Sequence, residues 1–358
     1  MSAAPPISVV MPVYNSAEFV AEAIESILSQ TFRDFEFIII DDGSTDESGA
    51  ILRDYAARDN RIRYYAQENC GLIASLNRYC PLAKGRYIAR MDADDISLPT
   101  RLEKQFRFLE NHPEIGILGA RIQDVDRFLT VRGTWPVPCD PAVIQWFLMF
   151  GNCMAHPSVT MRREVLERAG YYRNEAVHVE DYDLWIRASA ISNLANLPEV
   201  LLHYRIVDES VSSRNLSRQE RQAADLKCAL IGSLVQRPVS LDTIDVLGET
   251  AAGLAASQPE LVEDAANLLM ELFEQYVKKV PLSRGERAEI TLDVFRRCWL
   301  LGLFARRIPF RKALSVTLRP LRFAPRLFSL RSLQKAMDVG VWAIKSRGRL
   351  LTSQRREL

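Results

Sequence analysis

Two carboxylates separated by one residue, Asp92 and Asp94, are the sharpest chemical feature of the sequence. They follow Tyr87–Met91, a segment with the composition of a buried strand. Carboxylates are hard oxygen ligands that suit Mg²⁺ or Mn²⁺, and such an ion can neutralise charge on a departing diphosphate. The alternative is an acidic turn, in which Asp95 caps the following helix.

Two further acidic pairs lie at the ends of predicted elements. Asp41 and Asp42 follow the apolar run Phe35–Ile40, where the Asp41 carboxylate could accept hydrogen bonds from a nucleotide, although the same residues also suit an ordinary loop. Glu180 and Asp181 begin a predicted helix. There they either stabilise its positive N-terminal end or supply a general base for an acceptor hydroxyl.

The elements that must position these residues alternate between strand and helix in the first half of the chain. Helical patterns separate four apolar runs of strand length, which are Ile7–Val13, Phe35–Ile40, Arg61–Ala66 and Tyr87–Met91. This alternation predicts an α/β fold whose mainly parallel sheet is flanked by helices. Ligands bind such sheets beyond the carboxyl ends of the strands. We therefore expect Tyr14–Asn15, Asp41–Asp42 and Asp92–Asp95 to converge in one crevice.

Composition and motifs exclude several classes of protein. The chain has 358 residues, 48% of them apolar and 25% charged, which is typical of a globular protein. Its six cysteines are scattered without a CxxC pair, so we expect reduced thiols and a cytoplasmic location. The sequence contains no run of about 18 apolar residues, so it predicts no membrane-spanning helix. Walker A, GxGxxG, HExxH and GxSxG motifs are absent from the sequence.

Basic residues are concentrated at the end of the chain. Residues 306–358 contain 14 Lys and Arg against two acids, whereas residues 1–305 carry 32 basic and 43 acidic groups. Basic and apolar residues interleave in this tail, which suits a helix lying on the anionic inner face of the cell membrane. A helix packed on the protein with a solvated basic face is the alternative. We expect no nucleic-acid partner, since no reading motif accompanies the charge.

Several segments, taken in order, resemble the bacterial family 2 glycosyltransferases of the GT-A fold. The resemblance covers about residues 7–212. It rests on Ser8–Asn15, Asp41–Asp46, Gly85–Asp95, Ser97–Gln105, His156–Ser158 and Glu180–Trp185.

The resemblance implies a division of the chain into three parts. Residues 1–214 would be the GT-A domain, with a nucleotide-sugar-binding part at about 7–112 and an acceptor part at about 113–214. An α-helical region, 215–305, and the basic amphipathic tail would follow.

The resemblance also implies which residues hold the nucleotide-diphosphate sugar. The backbone near the end of the first strand and the two acids at the end of the second would bind the nucleotide. These residues are Pro12, Val13, Tyr14, Asn15, Asp41 and Asp42.

The remaining acids would carry the chemistry. Asp92 and Asp94 resemble the DxD pair that binds ribose and the metal-diphosphate, while Asp181 resembles the catalytic base and Glu180 its support. One position departs from the family pattern, because Val207 stands where relatives often have a histidine that could bind metal or diphosphate. His203 could replace that histidine only if its strand shifted register.

These features together predict an inverting hexosyltransferase that uses Mg²⁺ or Mn²⁺ in polysaccharide, lipopolysaccharide or capsule biosynthesis. Its partners would be a nucleotide-diphosphate sugar and a glycan or lipid-linked acceptor. A sugar nucleotidyltransferase is one alternative, but it should carry a Gly-rich basic loop after the first strand, and Met11–Ser16 is not such a loop. A catalytically lapsed, membrane-associated scaffold is the other, and Val207 keeps it open.

Overall fold

The computed structural model of the chain describes residues 4–206, 216–248, 259–304 and 315–320. Two compact units can be distinguished: residues 1–148 with 152–223, and residues 149–151 with 224–358. The domain boundary expected after residue 214 falls outside the described ranges and stays a prediction. Val207 and all of the tail except residues 315–320 also lie outside them.

A single nine-stranded sheet forms the described centre of the first unit. Its strands are β1 (Ile7–Val13), β2 (Phe35–Asp42), β3 (Ile62–Gln67), β4 (Tyr87–Arg90), β5 (Ile96–Ser97), β6 (Ile115–Val125), β7 (Val131–Thr134), β8 (Thr160–Arg162) and β9 (Asn193–Arg205). The order is β3-β2-β1-β4-β8-β6-β9-β5, and β7 pairs with β6.

The sheet has a parallel half and a mixed half. Strands β3, β2, β1 and β4 are all parallel, as the strand–helix alternation predicts. Strand β8 is antiparallel to both β4 and β6, while β6 and β9 run parallel to each other. The short strands β5 and β7 are antiparallel to β9 and β6. The carboxyl ends of these parallel strands therefore lie at the same edge of the sheet.

Helices connect the strands of the first unit and continue through the second. They are α1 (Val20–Leu28), α2 (Ser48–Arg58), α3 (Leu72–Tyr79), α4 (Arg101–Asn111), α5 (Pro141–Leu148), α6 (Arg163–Arg168), α7 (Glu180–Ser189), α8 (Leu216–Val235), α9 (Leu241–Leu247), α10 (Pro259–Lys279) and α11 (Arg284–Phe304). Two single 3₁₀ turns cover Cys80–Leu82 and His156–Ser158. None of the described helices is both long and apolar enough to cross a membrane.

Burial on both faces explains the composition of the central strands. All eight residues of β2 are buried, and β1 is buried except for the partly exposed Pro12. Parallel strands covered by helices on both faces carry such continuous apolar runs. The polar residues Asp41 and Asp42 end β2 and are still buried, so their carboxylates require partners within the protein.

A buried arginine braces the end of β4. The Arg101 side chain is fully buried, and its Nη2 donates to the carbonyl oxygens of Arg90 at 2.7 Å and Val159 at 3.2 Å. Its Nε donates to Gln105 Oε1 at 3.2 Å. Burial lowers the pKa of Arg101 to about 9, so the side chain stays charged at neutral pH. Arg101 thus fixes the strand from which the acidic segment Asp92–Asp95 emerges.

The second unit includes a small part of the basic tail. Val316 is buried, and Arg319 donates a hydrogen bond to Asn267 Oδ1 at 2.6 Å and pairs with Glu263. Another buried cluster in this unit joins Asp293 to two arginines of the same helix. Residues 315–320 are therefore packed, while membrane binding by the rest of the tail stays a prediction.

We expect Arg101→Leu to lower the free energy of unfolding by about 1–3 kcal/mol, because the buried Arg90 carbonyl loses this donor, while the Val159 carbonyl keeps the Arg90 N–H. Urea unfolding followed by circular dichroism measures the change. The matched control is Arg107→Leu on the same helix, whose side chain is 73% exposed and should change stability by less than about 0.5 kcal/mol. Equal effects of the two substitutions would show that Arg101 does not brace β4.

Candidate active site

The loops after β1 and β2 are tied together at the carboxyl edge of the sheet. Asn15 has a left-handed backbone with φ 48°, and its Oδ1 accepts from the Thr45 main-chain N–H at 2.8 Å. Its own N–H donates to Ser44 Oγ at 3.2 Å. Val13 pairs directly with Asp41, so the ends of the two strands are adjacent. Tyr14, which is 51% exposed, stands at this edge.

Asp41 lies at the end of β2 with both carboxylate oxygens engaged. Oδ1 accepts from the Ser44 N–H at 2.9 Å, and Oδ2 accepts from the Tyr64 hydroxyl at 3.2 Å. A Cβ built on Gly49 would come within 2.7 Å of Oδ2. Glycine therefore keeps the space beside this carboxylate.

Asp42 is held more tightly than its neighbour. Its oxygens accept hydrogen bonds from Gln67 Nε2 at 2.7 Å, the Cys70 N–H at 3.0 Å and the Gly71 N–H at 2.8 Å. Burial opposes ionisation, but these hydrogen bonds outweigh it and lower the pKa of Asp42. Its carboxylate fastens the loop before α3, a local role that the sequence pattern did not indicate.

Three carboxylates crowd together after β4. Asp92, Asp94 and Asp95 can each place one oxygen within 4.8 Å of the others. Burial, and then repulsion by neighbouring carboxylates, raises the pKa of Asp94 to about 6 and that of Asp95 well above its ordinary value. Asp95 Oδ1 accepts from the Arg205 N–H at 2.9 Å, so Asp95 does not cap α4.

This set of donors fits a divalent cation. Buried carboxylates that repel one another are stabilised when a positive charge lies between them. Asp95 Oδ2 is buried without a hydrogen-bond partner in the described part of the chain. Carboxylate oxygens are also the ligands that Mg²⁺ and Mn²⁺ prefer. Asp92 and Asp94, the predicted pair, thus have a third acid beside them.

One buried guanidinium connects this acidic cluster with the predicted base. Arg90 is 3% exposed and forms an ion pair with Asp92. Its positive charge also lowers the pKa of Asp94, Glu180 and Asp181, partly offsetting the effect of burial. Its Nε has no hydrogen-bond partner among the described residues. The fold therefore brings both acidic groups around one arginine.

Asp181 has the properties of a general base. It begins α7, and its Oδ2 accepts a hydrogen bond from Asn152 Nδ2 at 2.7 Å. Burial, followed by the charge of Glu180, raises the pKa of Asp181 to about 7. A base with a pKa near the operating pH combines a useful ionised fraction with a strong driving force for proton transfer. Asn152 was not singled out in the sequence, where a lone Asn carries no signal.

Aromatic packing fixes the helix that carries Asp181. The Tyr182 hydroxyl donates to the carbonyl of Leu148, and the fully buried Trp185 lies edge-on to His156 with ring centroids 5.8 Å apart. His156 Nε2 shares a hydrogen bond of 2.9 Å with the Tyr172 hydroxyl. Burial lowers the pKa of His156 well below its ordinary value. His156 is therefore uncharged at neutral pH and packs against Tyr172 and Trp185.

Arg205, at the end of β9, clamps the acidic segment. Its Nε donates to the Asp94 carbonyl at 2.8 Å, its Nη1 donates to the Arg127 carbonyl at 2.7 Å, and its Nη2 pairs with Glu22. The sequence interpretation considered the position two residues later, where Val207 replaces a histidine of the family pattern, and missed this clamp. The only available signal was the Tyr204-Arg205 dipeptide of the family pattern.

The register of β9 also determines which side chain approaches the acids. His203 pairs with Ile96 of β5 and with Gln123 of β6. Burial and the charges of Asp95, Asp92 and Asp94 raise the pKa of the adjacent Tyr204. A role for His203 in place of the family histidine stays a prediction.

Comparison with known proteins agrees with this geometry. Residues 8–170 match the family model described as glycosyl transferase family 2. The O-antigen biosynthesis glycosyltransferase WbnJ of Escherichia coli is 37% identical over 227 residues, which are 62% of this chain and 87% of WbnJ. The putative glycosyltransferase EpsE of Bacillus subtilis is 39% identical over 191 residues, which are 52% of this chain and 68% of EpsE.

A solved structure confirms the fold. TarS 1–349 of S. aureus, crystallised in complex with UDP-GlcNAc, superposes with a TM-score of 0.57 at 17% identity, covering 88% of this chain and 89% of TarS 1–349. At this identity the similarity establishes the GT-A-type architecture alone. The family model and the identity to WbnJ over most of that protein lead to one assignment: the chain belongs to glycosyltransferase family 2.

Proposed function

We propose that this protein transfers a hexosyl group from a nucleotide-diphosphate sugar to an acceptor hydroxyl with inversion at the anomeric carbon. The observation that carries this proposal is the grouping of a carboxyl of pKa about 7, Asp181, with the acidic cluster around Arg90. Asp181 can take a proton, and the acidic cluster can bind the cation that accompanies a nucleotide diphosphate. Both are needed for a single displacement.

The donor would lie at the carboxyl edge of β1 and β2. The backbone there is held in place by the Asn15–Thr45 hydrogen bond, and Asp41 stands next to it as an acceptor for base or ribose. Asp42 would act indirectly, through the loop that it fastens. The proposed donor-binding residues remain Pro12, Val13, Tyr14, Asn15, Asp41, Asp42 and Asp92.

The acidic cluster would hold Mg²⁺ or Mn²⁺ through Asp92 and Asp94, with Asp95 beside them. A bound divalent cation neutralises negative charge that develops on a departing nucleotide diphosphate. Arg205 keeps this segment in place by its bond to the Asp94 carbonyl. The crowded carboxylates are thus positioned before the donor binds, which lowers the cost of organising the site.

Asp181 would remove the proton of the acceptor hydroxyl. The oxygen then attacks the anomeric carbon on the face opposite the diphosphate, so one displacement inverts the configuration. Asn152 orients the carboxylate through its 2.7 Å hydrogen bond, and Glu180 keeps the pKa raised by its negative charge. Proton transfer by a positioned side chain contributes about 10²–10⁴-fold to rate.

The relatives suggest the class of acceptor. WbnJ acts in O-antigen biosynthesis by its name, which makes a surface polysaccharide or its lipid-linked precursor the acceptor that we propose. A cytoplasmic enzyme whose basic tail lies on the inner face of the membrane would meet such an acceptor there.

We expect Asp181→Asn to lower kcat by about 10²–10⁴-fold, because the amide cannot accept the proton. Binding of UDP or GDP with Mn²⁺, measured by calorimetry, should stay unchanged. Asp140→Asn is the matched control, since Asp140 is an exposed acid at the start of α5 and tests the effect of an acid near a helix N-terminus. Similar losses in both variants would exclude Asp181 as the base.

We expect kcat/KM to rise with pH through about 7, because Asp181 must lose its proton before it can act and its pKa is raised to about 7. Glu180→Gln removes a neighbouring negative charge that raises this pKa, so the rise should move to lower pH. Initial rates between pH 5 and 9 measure both profiles. A rise that stays in place, or moves to higher pH, would contradict the role of Glu180.

We expect UDP, GDP or dTDP together with Mn²⁺ to raise the melting temperature more than either component alone. At about 100 times Kd, this corresponds to about 2.7 kcal/mol. Asp94→Ala should abolish the joint effect, whereas Asp34→Ala, at an exposed position before β2, should retain it. A joint effect that persists in Asp94→Ala would rule out the proposed cation site.

A further inference from the structure

An exposed indole lies on the acceptor half of the first unit. Trp135 follows β7 and is 40% exposed, whereas Trp146 and Trp185 are completely buried in the same unit. Large aromatic side chains are usually buried because they contribute much of the hydrophobic stabilisation of a core. A Trp that is both exposed and held in a fixed position is therefore a candidate for binding a ligand.

The indole is held in place by a dedicated partner. Its Nε1 donates to Asp124 Oδ2 at 2.8 Å, and its main-chain N–H donates to the Ile122 carbonyl at 3.1 Å. Asp124 is partly buried, and burial raises its pKa. Its Oδ1 is enclosed, without a hydrogen-bond partner among the described residues. A partly buried carboxylate thus orients an exposed ring through its Oδ2.

Tyr204 connects this ring to the acidic cluster. The ring centroids of Trp135 and Tyr204 are 6.2 Å apart, with an angle of 48° between the planes. Tyr204 pairs with Asp124 across β6 and β9, and the charges of the acidic cluster act on its hydroxyl. The indole is therefore one aromatic ring away from Asp92, Asp94 and Asp95.

In the order of strands, the indole belongs to the half of the sheet that lies across β4 from β1 and β2. The acidic segment follows β4; β1 and β2, with Asn15 and Asp41, lie on one side of β4, and β6 and β9 lie on the other. A donor bound at β1 and β2 leaves the β6 side for the second substrate. That substrate, in the proposed function, is a sugar with a free hydroxyl.

A pyranose ring suits this position chemically. One of its faces presents C–H groups, which pack on the negative face of an aromatic ring, while its hydroxyls remain at the rim in water. A fixed ring also spares the ordering cost that a mobile side chain would add on binding.

We propose that Trp135 is the stacking platform for a pyranose ring of the acceptor and that Asp124 is the positioning residue that orients it. This subsite rests on the proposed function, because it assigns the acceptor side of the same reaction. The subsite defines the acceptor as a saccharide, and the pyranose ring that stacks on Trp135 lies next to the hydroxyl that reacts.

Saturation-transfer NMR on the full chain tests the proposal with four probes, the methyl pyranosides of glucose, galactose, mannose and N-acetylglucosamine. Mg²⁺, which is diamagnetic, and saturating UDP, GDP or dTDP are present; the nucleotide used is the one that raises the melting temperature most. At least one pyranoside should receive saturation at its ring protons. Trp135→Ala should reduce this transfer by about five-fold or more, while Trp135→Phe should restore most of it.

Two further variants separate stacking from general damage. Phe128→Ala is the matched control. Phe128 lies between β6 and β7 and is 80% exposed, so its substitution should leave the transfer unchanged. Asp124→Leu keeps the ring but removes its hydrogen bond, so the transfer should weaken. The joint effect of Mn²⁺ and nucleotide on melting temperature should stay the same in all of these variants.

Failure of the subsite and failure of the proposed function give different results. If nucleotide and Mn²⁺ stabilise the protein but Trp135→Ala transfers saturation like the wild type, or no pyranoside receives any, the subsite is wrong and the proposed function stands. If the pyranosides receive saturation only when the nucleotide is omitted, the indole binds the nucleotide base, and the acceptor assignment is wrong. If neither nucleotide nor metal binds, the proposed function itself fails.

Discussion

Five carboxylates in one part of the fold interact with the buried positive charge of Arg90. Arg90 pairs with Asp92 and reduces the cost of ionising Asp94, Asp95, Glu180 and Asp181. Like charges in a region of low dielectric repel strongly, so this guanidinium lowers the free-energy cost of keeping the acids ionised. The negative charge of the cluster is only partly compensated, which is the condition that favours a cation.

The environment separates the acids into different tasks, although all are Asp or Glu. Asp42 accepts several hydrogen bonds and has a lowered pKa, so it acts as a permanent anion that fastens a loop. Asp181 accepts from Asn152, but burial and Glu180 raise its pKa to about 7, which suits reversible proton uptake. Partners and burial, not residue type, distinguish a structural carboxylate from a reactive one.

Much of the parallel half was predictable from the sequence, because buried parallel strands are continuous apolar runs and their ends carry the polar residues. The mixed half was not, since the pairing of β8 between β4 and β6 joins segments about 45–75 residues apart and leaves no local pattern. Arg90 was visible in the sequence, but its burial was not. Arg205 was likewise visible, while its attachment to the Asp94 carbonyl depends on the register of β9.

The anchoring of the β6–β7 hairpin has a consequence for divergence among related enzymes. The Arg205 side chain donates a hydrogen bond to the main-chain carbonyl of Arg127 in this hairpin, a group that every residue type provides. The tip that follows, with the exposed Phe128 and Leu129, can therefore change in sequence while the grip on the acidic segment persists. Such an attachment separates the sequence of the hairpin tip from the anchoring of the acidic segment.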